Sequence, residues 1–186
     1  MKKLFPILLI ALGVGFLGAG GYASFRGFDA RTQVHDELVA QNITTPDDAS
    51  MPGVLVDDIA SARSMADIIN HHALEGSDGL TYSEMGRFAT ESGDPAGTND
   101  PEAALTDANG NPVPNQVRNT ALTAASLRTS LFSSVMAFEV STLVIGIGAL
   151  LVVLGFAIGG VGVALAGLAL PRFARRVHVE PVAALG

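Results

Sequence analysis

The sequence predicts a mainly α-helical membrane protein: two transmembrane helices, extended as an antiparallel helical stalk, with a small helical and irregular extracytoplasmic insertion. Three observations predict it. Residues 4–24 and 140–170 carry no charged side chain; an apolar stripe in steps of three and four runs from residue 117 into the second of these stretches; and Gly, Pro, Asn and Asp crowd residues 92–114. Mean hydropathy is positive although the net charge is −7, so apolar and acidic residues must be segregated along the chain.

The first run, LFPILLIALGVGFLGAGGYAS, is long enough as a helix to cross a hydrocarbon layer of roughly 30 Å. Lys2 and Lys3 before it, and the small residues Ala19, Gly21 and Ala23 at its end, also resemble a signal peptide. Its apolar length exceeds the roughly 7–15 residues of such a segment, which favours an uncleaved anchor. Lys2 and Lys3 on one side, with Arg172, Arg175 and Arg176 after the second run, place both termini in the cytoplasm by the positive-inside rule. The resulting division is 1–24 for the cytoplasmic start and first span, 25–135 for the extracytoplasmic part, 136–170 for the second span and 171–186 for a cytoplasmic tail.

Beyond the first span the chain can continue as helix, with Phe25, Phe28, Val34 and Leu38 along one side, although Gly27 weakens it by about 1 kcal/mol relative to alanine. Residues 42–114 form the insertion. Asp57 or Asp58 can cap a helix whose apolar face is Ile59, Ala62, Met65, Ala66 and Ile69, with Gly76 as its stop. Thr81 and Glu84 fit a capping box for a second short helix carrying Tyr82, Met85 and Phe88. The string SGDPAGTNDPEAALTDANGNPVP that follows reads as turns.

Val117, Ala121, Ala124, Leu127, Leu131, Val135 and Phe138 then mark one face of a long helix from about 116 to 157. Residues 161–170 are too short for a third crossing and extend or bend the same helix. Small residues that let helices approach closely in lipid recur as Gly155 and Gly159 and, in the first span, as Ala11, Gly15 and Ala19.

Chemistry-bearing residues are sparse. His71 and His72 fall in the last turn before Gly76, where a partly positive imidazole suits the helix C-terminus, and adjacent helical residues point about 100° apart. A two-histidine, one-carboxylate iron site using His71, His72 and either Glu75 or Glu84 is the sharper alternative. Asp107, Asn109 and Asn111 alternate as in a calcium loop, but Pro112 stands where glycine is needed and Arg118 where the distal glutamate is needed, so DANGN reads as a turn. Glu139, at the edge of the second span, reads as an interfacial carboxylate. No nucleophile elbow, phosphate loop or paired catalytic carboxylates are legible, and there is no cysteine. The acidic balance of 25–135 argues against electrostatic binding of nucleic acid or anionic lipid heads.

HALEGSDGLTYSEMGRF, DANGNPVPNQVRNTALT and the polar-to-aliphatic helix leading into a terminal span resemble small two-span membrane proteins of actinobacteria and related bacteria that carry the label "aromatic ring-opening dioxygenase LigA". The resemblance covers most of the chain. It implies little about activity, because the label belongs to a soluble extradiol dioxygenase with separated iron ligands, a framework absent from these residues, and no site residue transfers from it.

Two function classes follow. The first is a non-catalytic membrane scaffold or accessory subunit, with membrane lipid and other membrane subunits or further copies of itself as partners and no cofactor. A respiratory assembly is its host by analogy, and a self-assembling cluster is the other form. The second is a metal-dependent redox enzyme built on His71, His72 and Glu84.

Overall fold

The computed structural model describes residues 4–169. Lys2, Lys3 and the arginines from Arg172 onward, which carry the orientation argument, lie outside the described residues. Among those described, the chain is mainly helical: α1 spans Leu4–Gln41, α2 Ile59–Glu75 and α3 Gln116–Ala169, with one-turn 3-10 helices at Tyr82–Glu84 and Pro101–Ala103. Two of these helices, α1 and α3, are long and apolar enough to cross a membrane. The chain divides into two compact units, one containing residues 4–30 and 140–169 and the other Arg31–Glu139.

In the first unit α1 and α3 pack antiparallel along a seam of glycines. Gly13, Gly20 and Gly27 on α1 are buried, as are Gly148, Gly155 and Gly162 on α3, and each set recurs every seven residues. That repeat keeps one line of a helix facing one partner over many turns. Absence of Cβ atoms sets the approach: a Cβ on Gly20 would lie 2.5 Å from the Gly148 carbonyl oxygen and 2.8 Å from Val152 N. A Cβ on Gly155 would lie 2.8 Å from Gly13 O, and one on Gly162 2.9 Å from Ile10 N. Gly27 therefore belongs to the seam, which explains why α1 tolerates its helix cost: a Cβ there would meet Ile145 Cγ1 at 2.6 Å.

The remaining surface of this unit is apolar and outward-facing. Only 17% of the most apolar window of α1 and 11% of that of α3 are buried among the described residues, so most of each window is exposed or half-exposed.

The second unit has a conventional core. Leu38 of α1, Ala62 and Ala66 of α2, and Leu131, Val135 and Phe138 of α3 are buried together around Val56, which the segment between α1 and α2 inserts fully into the core. Ile59, Met65 and Ile69 pack against this cluster, as the α2 periodicity predicts. Of the α3 stripe, Ala121, Ala124, Leu131, Val135 and Phe138 are buried, whereas Leu127 is 49% exposed.

Candidate functional site

The second unit gathers the polar residues, and α2 is its organising element. Asp58 is the N-cap: its carboxylate accepts from Ser61 N at 2.8 Å, and the Ser61 hydroxyl in turn accepts from Asp58 N at 3.1 Å. The bond from the Ser61 backbone, then that from its hydroxyl, holds the Asp58 carboxyl below its ordinary range. Gly76 ends the helix, donating its N–H to His72 O at 2.9 Å. The segment before α2 is tied down by Thr45, whose hydroxyl donates to Met51 O and Val54 O, and by Ser64, which accepts from Met51 N at 3.1 Å.

The two histidines part company. Nε2–H of His72 donates to the Asp48 carboxylate at 2.6 Å, and this hydrogen bond is the largest cause lowering the Asp48 pKa. His71 instead lies 3.9 Å from Glu75, one turn along the same helix, with both side chains mostly exposed. The ring centroids are 6.0 Å apart and tilted by 46°, as the roughly 100° step between neighbours on a helix requires. Glu84 is engaged elsewhere: its carboxylate accepts from Thr81 Oγ1 and Thr81 N, both at 2.7 Å, and those bonds hold its pKa down. Among the described residues no three His, Cys, Asp or Glu side chains gather as a metal-ligating group.

The Thr81–Glu84 box caps a 3-10 turn rather than the expected short helix. Met85 leaves that turn into the interior at 4% exposure, and Phe88 pairs in isolated bridges with Thr98 and Pro114, so the chain extends where the sequence suggested a further turn of helix. Asn115, 3% exposed, holds this region together. Its amide donates to Gly86 O at 3.2 Å and Pro95 O at 2.9 Å, while its carbonyl oxygen accepts from Val117 N at 3.1 Å and caps α3. The sequence signal for that role is an Asn two residues before the helical stripe that begins at Val117. DANGN is a turn: the Asp107 carboxylate accepts from Asn109 N at 2.9 Å and Asn111 N at 2.8 Å, with Gly110 at φ +80°. The Asn111 bond comes first among the causes that lower the Asp107 pKa. Glu139 pairs with Arg63 at 2.5 Å, both side chains about half exposed.

Two adjoining grooves cross this unit and share Ile69 and Leu127. One, of 360 Å³, lies between His72 and Ala73 of α2 and Gln116, Thr120 and Thr123 of α3. The other, of 390 Å³, is floored by Leu38, Ile43, Met65 and Leu131, with Glu37, Ser130 and Ser134 on its walls.

Of the proposed helix-packing residues in the first unit, Gly155 lies in the glycine seam and Gly159 has Gly13 Cα 3.7 Å from its Cβ direction. Ala11, Gly15 and Ala19 are exposed, and a Cβ on Gly15 would meet nothing within 4 Å. The α1 partners of α3 are Gly13, Gly20 and Gly27, legible as glycines seven apart rather than as small residues four apart.

Comparison with protein-family models, curated proteins and solved structures finds no match to this chain.

Proposed function

We propose that the chain is a non-catalytic integral membrane scaffold or accessory subunit, with both termini in the cytoplasm and residues 25–135 outside, engaging a larger membrane assembly or further copies of itself. The observation that carries this reading is the apolar surface of α1 and α3. Their most apolar windows are 17% and 11% buried, a surface that water would penalise and that lipid or neighbouring helices would cover. The glycine seam supports it, since backbone contact between two helices is a device suited to lipid, where apolar burial supplies no drive for association.

Four carboxylates of the second unit serve local structure: Asp58 and Glu84 cap, Asp107 closes a turn, and Asp48 pairs with His72. That use of the carboxylates favours a binding role over catalysis. The resemblance to two-span actinobacterial proteins agrees with a membrane subunit, and a respiratory assembly is a host by analogy.

The test is purification of a C-terminally tagged chain from its native membrane in mild detergent, with mass spectrometry of co-purifying proteins and metal analysis of the same sample. Membrane subunits at fixed stoichiometry, or a defined homo-oligomer, would support the reading. A monodisperse single chain holding stoichiometric iron or zinc would overturn it in favour of a redox site at His71 and His72.

A further inference from the structure

We infer that the paired grooves on the second unit receive a basic amphipathic helix of another subunit. This rests on the accessory-subunit reading above and narrows its partner to a different protein of stated chemistry.

The argument begins with the wall that α3 provides. Gln116, Thr120, Thr123, Leu127, Ser130 and Ser134 line the grooves at alternating steps of four and three, so the grooves follow one face of α3. At 1.5 Å per residue that face is about 27 Å long, the length of a helix of roughly 18 residues. Leu127 stands at its middle, 49% exposed, opposite the apolar side chains Met65 and Ile69 of α2. Such a row is what an amphipathic helix meets when it lays its i, i+3, i+4, i+7 positions into a groove.

The hydroxyls separate a peptide from a lipid chain. Thr120, Thr123, Ser130 and Ser134 each donate to the carbonyl four residues earlier on α3, leaving small side chains whose oxygens can still accept. An acyl chain would cover those oxygens without offering a donor, whereas a helix brings polar side chains at its flanks.

Charge separates a basic partner from a second copy. Residues 31–139 hold sixteen Asp and Glu against five Arg and no Lys. Each arginine has a contact of its own: Arg31 lies over Phe138, Arg63 pairs with Glu139, Arg87 lies over Phe88, Arg118 donates to Tyr82 Oη, and Arg128 donates to Ala66 O. None of them lines either groove. The groove walls carry Glu37, and Asp48 is bonded to the groove residue His72. Two such acidic surfaces repel each other, and a helix with Lys or Arg at its flanks complements them.

The test places p-benzoylphenylalanine at position 127 of the full-length chain in its native membrane, with irradiation, peptide mapping of the adduct and co-purification scored on the same preparation. The expected adduct is on another subunit, within a helical segment of net positive charge. Its yield should fall about five- to tenfold in a Glu37→Lys variant and recover when a basic residue of that segment is changed to Glu, the scale expected of a charge pair at an interface rim. Adducts on lipid, on a second copy, or on an acidic or uncharged segment would overturn the inference, as would a yield indifferent to Glu37→Lys. An intact co-purifying assembly without any adduct, or a defined homo-oligomer with no other subunit, would overturn it alone, while a preparation with neither a partner subunit nor a homo-oligomer would overturn the scaffold reading as well.

Discussion

Gly13 and Gly159 face each other across the α1–α3 seam so closely that a Cβ on Gly13 would stand 2.7 Å from the Gly159 Cα. Such a contact is between backbones, with no flexible side chain to move aside. The seam therefore makes a sharp distinction among glycines that look alike in sequence.

Gly20→Ala, whose new methyl would meet Gly148 O and Val152 N, should destabilise the helix pair by about 1–3 kcal/mol, the usual cost of overpacking. Gly15→Ala places its methyl in open space and should leave stability unchanged or raise it by up to about 1 kcal/mol through helix propensity. Unfolding by denaturing detergent in mixed micelles would compare the two. Equal losses would contradict the seam.

Asn115→Ala removes the cap of α3 and two clamps on the preceding loops at once. A loss of about 2–4 kcal/mol is expected from a lost cap together with buried carbonyls left unpaired. Limited proteolysis should find faster cleavage within residues 86–114 while α2 stays protected.

Asp58 makes one part of the stability dependent on acid. Its folded pKa lies below the ordinary 3.8, so its contribution is complete above that value and is lost as pH falls through the lower folded value. Asp58→Ala should cost about 0.5–2 kcal/mol near neutral pH, as N-cap losses do. The difference from the parent chain, followed by thermal unfolding, should shrink as pH drops below 3.8. A difference that widens on acidification would contradict the cap.

Arg63→Ala, in contrast, should change stability by less than about 1 kcal/mol, because both partners of the Arg63–Glu139 pair are half exposed. Chemical denaturation would measure it.

Much of this architecture is legible from residue spacing. The α2 cap, its apolar face and its Gly76 stop follow from local rules, and so do the DANGN turn and the continuity of α3, because each depends on residues within a few positions of one another. What escapes spacing is set by tertiary partners. Leu127 shares the period of the buried α3 stripe, yet lies where α2 leaves a groove rather than a contact. Tyr82, Met85 and Phe88 have helical spacing, but Phe88 is drawn into bridges with Thr98 and Pro114. The seam is hidden for a different reason: a four-residue rule selects Ala11, Gly15 and Ala19, while an antiparallel contact over many turns repeats every seven and selects Gly13, Gly20 and Gly27. His72 illustrates the site itself, since its partner Asp48 is distant in sequence and only the fold brings them together.

The most direct measurement of the central claim uses the chain's lack of cysteine. Single cysteines at Lys3, Ser92 and Ala183 are treated in intact cells with a membrane-impermeant maleimide, and the membranes are then washed with alkaline carbonate. The account predicts that the chain stays in the membrane, that Ser92→Cys is labelled at once, and that Lys3→Cys and Ala183→Cys are labelled only after permeabilisation. Release of the chain by carbonate, or a protected Ser92→Cys beside labelled ends, would contradict it.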